Sequence, residues 1–229
     1  MDGLNILYCS YRQWSDRLLT YVKYFLKEEH YTEFSLLNFS HISTTKELKE
    51  KDLNDYDLIF FVGWSEIIPK DIVNNNKCIC LHPSPLPKYR GGSPIQHQII
   101  NGETESLVSL FLMDEGIDTG SIIHQIPFSL KGNLNDIFSN ICNVSYLSIA
   151  FIILEFWKFG KINLIPQDNS KSTFFKRRTP EMSEIKIEDF ENYTVKELHN
   201  KVRALQDPYP NAFIRCKNGE KLYLKVTSY

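Results

Sequence analysis

The sequence predicts an α/β fold: a Rossmann-like core on a mostly parallel sheet, with a short C-terminal helix and β-hairpin extension. Three observations carry that expectation. Strand-like runs alternate with helix-patterned segments through the first half of the chain, the order of parallel strands joined by crossover helices. The run LIFFVGW at residues 58–64 is apolar almost throughout, as a strand covered on both faces is. The run KCICL then delivers His82 just past its end, and ligands of such sheets collect outside the carboxyl ends of the strands.

Each element follows from local pattern. Leu4 to Cys9 reads as the first strand, and helical spacing runs from about Gln13 to Lys27. EFSLLNF (33–39) reads as a second strand, and the charged TTKELKEKDL as a solvated helix. EIIPKDIVNNN supplies a short helix and turn before KCICL, and QHQIING (96–102) fits a helix stopped by Asn101-Gly102. SLVSLFLMD and SIIHQIPF are strands on either side of EGIDTG, and helical patterning resumes from Asn135 to Phe159. From about Ser170 the texture changes to KSTFFKRRTPEMSEI, a helix-like VKELHNKVRAL, a DPYPN turn and a hairpin pattern. The expected division is a core over residues 1–170 and a small extension over 171–229 packed on it.

With 229 residues the chain can bury a core without disulfide or metal staples. A formal net charge of -2 gives no general attraction to nucleic acid or to an anionic membrane. Five cysteines at irregular spacing argue against a disulfide framework and for a reducing, cytoplasmic setting. MDGLNILYCSYRQW lacks the apolar core of a signal peptide. The most apolar window, SIAFIILEFWKFG (148–160), is broken by Glu155 and Lys158, is too short to span a bilayer and reads as a buried helix.

Chemistry concentrates in two stretches. In CICLHPSPLPKYRGGSPIQ (78–96), prolines stiffen and Gly91-Gly92 loosen a loop behind His82, a shape that packing alone does not require. MDEGIDTG (113–120) sets acids and glycines between two strands. Taken singly, each has a plain reading: a structural histidine and a hairpin turn. Cys78, Cys80 and His82 also permit metal ligation, without an obvious fourth ligand or a recognised zinc spacing. Cys80 with His82 and Asp118 permits a thiol nucleophile. Packing is the plain reading of Cys78.

Together, HPSPLPKYRGGSPIQHQIINGE and MDEGIDTGSII resemble the folate-dependent formyltransferase family, clearly over roughly residues 58–126. The resemblance implies transfer of a formyl group from N10-formyltetrahydrofolate to an amine. It implies a catalytic Asn-x-His pair on one strand and an aspartate in a later loop. His82 matches the histidine and Asp118 the aspartate, but the asparagine position falls on Cys80. Residues two apart on a strand face the same way, so Cys80 is expected to point toward the site of His82. When a neutral amine attacks a formyl carbon, negative charge grows on oxygen and positive charge on nitrogen. A hydrogen-bond donor must meet the first and a base must relieve the second. Histidine serves as the base near neutral pH with a carboxylate to hold its ring. A thiol is a weaker donor than the usual amide. By the same resemblance, the pterin lies against Trp64, Ile67, Ile68 and Pro69 and against Asp114, Gly116 and Ile117, held largely by backbone groups.

FFKRRTPEMSEI and VRALQDPYPNAF are similar to the nucleotide-sugar branch of the family. The methionyl-tRNA branch adds a substantial C-terminal domain, for which little room is expected after Ser170, and a tRNA partner favours a basic surface. The sugar branch implies formylation of dTDP-4-amino-4,6-dideoxyglucose for O-antigen or another bacterial surface polysaccharide. It implies a cytoplasmic homodimer without metal, nucleic-acid or membrane partners. Lys176, Arg177 and Arg178 would meet the diphosphate, Tyr209 the base, and Arg90 and Gln96 the acceptor. The plain alternatives are a solvated basic run and a packed tyrosine. Two other functions stay open: a formyltetrahydrofolate hydrolase, and a catalytically weak folate- or nucleotide-binding protein.

Overall fold

The computed structural model describes residues 3–228. Strand β1 (Leu4–Cys9) leads into α1 (Gln13–Glu29), a single helical turn α2 (Tyr31–Phe34), β2 (Leu37–Ile42) and α3 (Thr45–Glu50). Next come β3 (Leu58–Val62), α4 (Lys70–Asn75), β4 (Cys78–His82), the short β5 (Arg90–Gly91) and α5 (Pro94–Ile100). The long strands β6 (Glu105–Leu112) and β7 (Ile122–Ser129) precede α6 (Leu134–Phe159). The chain continues through β8 (Phe174–Phe175), α7 (Asp189–Asn192), α8 (Val195–Ala204), β9 (Ala212–Arg215) and β10 (Lys221–Leu224).

The main sheet has the order β2-β1-β3-β4-β6-β7. The first four of these are mutually parallel, and β6 and β7 pair antiparallel. Because β1 pairs with both β2 and β3, the strand order reverses there and a crevice opens beyond Cys9 and Val62. Side-chain alternation splits the core. Ile6, Tyr8, Phe60, Val62, Ile79 and Leu81 pack with Leu18 of α1 and Ile141 of α6. Leu7, Cys9, Ile59, Phe61 and Cys78 pack on the other face with Leu48 of α3 and Val73 of α4. Every position of β3 is buried, as its unbroken apolar run requires.

Helix starts are fixed by reciprocal caps, Thr44 with Glu47 for α3, Asn133 with Asp136 for α6 and Thr194 with Glu197 for α8. Two expectations shift. EFSLLNF divides, because Phe34 closes a helical turn with its N–H on the His30 carbonyl and β2 begins only at Leu37. Phe34 still packs 6.3 Å from Phe39, so its burial does not need a strand. Helix α6 runs 26 residues, long and apolar enough by length and composition to cross a membrane. In this fold Ile137, Ile141, Cys142, Ile149, Ile153 and Phe156 of that helix are buried in the core.

The segment after α6 returns to the core. β8 pairs in parallel with β5, with Arg90 N–H on Thr173 O at 2.9 Å and Gly92 N–H on Phe175 O at 2.8 Å. Only glycine fits opposite it. A Cβ on Gly91, whose φ is 96°, would lie 2.2 Å from Phe175 O, and one on Gly92 2.4 Å from Arg177 Cα. Farther on, α8 and the β9–β10 hairpin enclose a small core of Ile185, Val202, Leu205 and Ala212.

Candidate active site

His82 closes β4 and is 6% exposed. Its Nε2 lies 2.9 Å from the Tyr89 carbonyl oxygen. A carbonyl only accepts, so Nε2 carries the ring proton and Nδ1 is left facing Asp118 Oδ2 at 3.6 Å.

Asp118 arrives by an indirect route. β6 is antiparallel to β4, so the loop after it starts at the far end, with Met113 N–H on Cys78 O at 2.8 Å. The loop then doubles back along β4 to reach His82. Asp114 shapes the return, its Oδ1 accepting from Gly116 N–H at 3.0 Å and from Thr119 Oγ1 at 2.5 Å. Asp118 has φ 54°, a conformation that a non-glycine residue keeps only when its surroundings hold it. Its Oδ2 accepts from Gly91 N–H at 2.8 Å, and its carbonyl accepts from Gln167 Nε2 at 3.0 Å.

Cys80 lies on the same face, against Leu86, Phe111 and Ile122. Burial first, then Asp118 and Cys78, pushes its thiol well above the ordinary range. The thiolate needed for nucleophilic attack is therefore disfavoured. Among the described residues no group of three His, Cys, Asp or Glu side chains is placed to hold a metal ion.

Residues 64–70 and 114–118 are tied together, Glu115 accepting from Lys70 Nζ at 2.9 Å and Asn74 Nδ2 at 2.8 Å. Ile67, 84% exposed, and Ile117 stand open on these two segments. The Ile68 side chain is buried with Leu48 and Val73, which leaves its backbone for a ligand. Pro69 caps α4. Trp64 packs edge-on against Tyr11 and Phe61, and its buried Nε1 has no partner among the described residues. Gly116 is close-packed, since a Cβ there would overlap Thr119 Oγ1.

The crevice at the strand reversal is basic and aromatic. The Arg12 stem lies over Gly63, and its guanidinium sits 5.1 Å from the Tyr11 ring and 5.7 Å from the Tyr209 ring. Burial raises the Tyr209 hydroxyl pKa, against the opposing pull of Arg12, Gln96 and Arg177 nearby. Gln96 is 2% exposed, with its side-chain amide beside the Tyr209 hydroxyl. Arg177 donates to the Ser65 carbonyl. Neither Arg12 nor Arg177 is paired with a carboxylate among the described residues. Arg178 is half-buried, donates to Met182 O and leaves Nε unpartnered, and burial pulls its pKa down. Lys176 has an exposed side chain and a carbonyl facing His97 Nε2 at 3.0 Å.

Arg90 takes a different place from the expected one. It is 7% exposed, and its guanidinium bonds Gln167 Oε1 at 2.7 and 3.2 Å and Asn169 Oδ1 at 2.8 Å. Sequence reasoning passed over Arg12, Tyr11 and Gln167. The first two were traceable as the loop after the first strand, whereas Gln167 has no local signal. A cavity of about 690 Å³ lies elsewhere, beside Asn133 and Arg203. Arg203 is already committed to the Leu130 and Gly132 carbonyls, and Asn133 to capping α6.

A strand-end histidine facing an aspartate on a returning loop is the candidate site of this α/β domain. The sequence model of the formyl transferase family matches residues 27–132. Methionyl-tRNA formyltransferase of Campylobacter jejuni is 33% identical over 195 residues, covering 84% of this chain and 60% of that protein. The chain thus spans about 60% of the length of such curated relatives. A solved methionyl-tRNA formyltransferase from Clostridium thermocellum is 29% identical with TM-score 0.77, covering 96% of each chain. Two further structures share the fold. A 4-N formyltransferase from Francisella tularensis has TM-score 0.76 at 21% identity over 97% of each chain. HypX from Aquifex aeolicus, solved with tetrahydrofolic acid, has TM-score 0.71 at 22% identity over 97% of this chain and 37% of its own. The architecture is that of the formyltransferase α/β fold.

Proposed function

We propose that this protein transfers a formyl group from N10-formyltetrahydrofolate to the amine of a nucleotide-linked amino-deoxysugar. The acceptor is dTDP-4-amino-4,6-dideoxyglucose, the setting is the cytoplasm, and the product serves O-antigen or another surface polysaccharide. A homodimer is the working form. The observation that carries the reading is the His82–Asp118 pair, with Nε2 locked as a donor and Nδ1 free beside a carboxylate. Matches to formyl transferases in sequence and fold support it.

The donor supplies an activated formyl group. The open Ile67 and Ile117 side chains and the orphaned Trp64 N–H suit a flat, polar-edged ring such as a pterin. His82 Nδ1 takes the proton that the attacking amine must lose, and Asp118 balances the charge so formed. Arg90, committed to Gln167 and Asn169, belongs to the frame of the site.

Two guanidinium groups without acidic partners beside Tyr11, Tyr209 and a buried Gln96 amide suit an acceptor that carries phosphate and a ring. A second reading, methionyl-tRNA as acceptor, draws support from the 33% identical relatives. The net charge of -2 favours the smaller acceptor. The test supplies N10-formyltetrahydrofolate with each acceptor in turn, or with neither. Formyl-sugar product is expected. Formyl-methionyl-tRNA would select the second reading, and formate released without any acceptor would select hydrolysis. Arg177→Gln should raise the sugar KM roughly tenfold and weaken its salt dependence, with folate affinity unchanged. Loss of folate affinity alone would reverse the assignment.

Cys80 offers a separate check. Cys80→Ala and Cys80→Ser should keep activity, because the thiol is protonated and serves no essential step. Cys80→Asn should keep or raise kcat, by up to about tenfold, since an amide is the better oxyanion donor. Inactive Ala and Asn variants, together with a formyl adduct on Cys80 by mass spectrometry, would instead make it the nucleophile.

A further inference from the structure

We propose that Gln167 is a positioning residue for the reaction, fastening Asp118 in its left-handed conformation; this rests on the formyl-transfer reading of the same site. Gln167 lies beyond α6, far in sequence from both His82 and Asp118. Its Nε2 donates to the Asp118 carbonyl at 3.0 Å and to the Gly120 carbonyl at 2.7 Å. Its Oε1 accepts from Arg90 Nε at 3.2 Å and Nη2 at 2.7 Å. Every hydrogen of that amide nitrogen is thus spent on the loop that carries Asp118, and the amide oxygen on β5. One side chain stitches the two segments together.

The stitch falls where the geometry needs it. Asp118 has φ 54°, which its own chain does not favour, and Gly120 leaves no slack, a Cβ there overlapping the Leu112 carbonyl. On the other side, the residues flanking Arg90 are the ones that touch the catalytic pair. Tyr89 O receives His82 Nε2–H, and Gly91 N–H meets Asp118 Oδ2. Gln167 thereby sets the distance between the carboxylate and the imidazole without touching either. A neutral amide suits the task, for it donates to carbonyls on one side and accepts from a guanidinium on the other. Arg90 is buried with neutral amides as its partners, so its own anchoring depends on the same side chain.

Gln167→Glu separates the two halves of the stitch. The carboxylate keeps, and strengthens, the bond to Arg90, but it cannot donate to the Asp118 and Gly120 carbonyls. Gln167→Met removes both halves at similar size. Three quantities are read on the full chain: kcat and KM for formyl transfer, the thermal midpoint, and exchange of the Gly91 amide by NMR. For Gln167→Glu, kcat is expected to fall roughly 10²-fold with donor KM within about twofold, as for a misplacement of about 1 Å. Gly91 amide exchange should quicken about tenfold, the scale of one lost hydrogen bond, while Leu81 in β4 keeps its protection. Gln167→Met should lose at least as much kcat. Normal kcat and normal Gly91 exchange in Gln167→Glu would overturn the proposal and leave Gln167 as a partner of Arg90 only. Parallel loss of activity, KM and midpoint would overturn it too, as plain destabilisation. A wild type without formyl transfer but with the Gly91 effect intact would sink the functional reading and spare the positioning role.

Discussion

His82→Ala and Asp118→Asn are each expected to lower kcat by about 10²–10⁴-fold, the usual worth of a positioned acid–base group. Neither change should unfold the protein. Asp118→Asn keeps an acceptor for the Gly91 N–H at nearly unchanged shape, and the Asp118 carbonyl remains available to Gln167. His82 is buried beside the Tyr89 carbonyl, so its removal costs one hydrogen bond, about 1 kcal/mol. The double variant should be little worse than the poorer single one, because the two groups act on one proton. Stopped-flow assays with circular dichroism as a folding control would decide. Near-normal turnover in either single variant would remove that residue from the mechanism.

Gly91→Ala is expected to destabilise the protein by about 3 kcal/mol, combining an unfavourable φ with an unrelieved backbone clash. The added methyl would meet Phe175 O at 2.2 Å, and no rotamer change relieves a carbonyl oxygen. β8 must move off β5, and with it goes the geometry of the Gly91 N–H that holds Asp118. Activity should therefore fall by roughly 10²-fold even below the melting transition. A variant with a normal midpoint and normal kcat would mean that β5–β8 contact is dispensable. Gly102→Ala is the control, since φ 86° is shared in kind but no atom lies within 4 Å of the added carbon.

The parts of this fold set by local periodicity were readable in advance. β1, β3 and β4 coincide with runs whose alternation or continuity reports two covered faces, and α1 and α6 with helical spacing. Phe34 was misassigned because strand-like composition outweighed a one-turn helix, whose stability comes from packing on Phe39. His82, Cys80 and Asp118 were legible through two long motifs, and alternation correctly put Cys80 on the side of His82. What stayed hidden depends on chain return. Nothing near Gln167 or Thr173 announces that they reach the loop behind His82, and no local rule turns Arg90 inward.

The parallel pairing of β8 with β5 bears on how acceptor preference can be re-engineered in this chain. Residues 173–175 brace the loop behind His82, and two positions beyond β8 the chain presents Arg177 to the Ser65 carbonyl at the crevice. A chimera joined near residue 170 would import foreign bracing along with foreign specificity, and its chemistry would suffer from the mismatch. A junction placed after Arg178, whose N–H is already fixed to Ser93 Oγ at 3.1 Å, would exchange α8, the DPYPN turn and the hairpin while leaving the catalytic frame native.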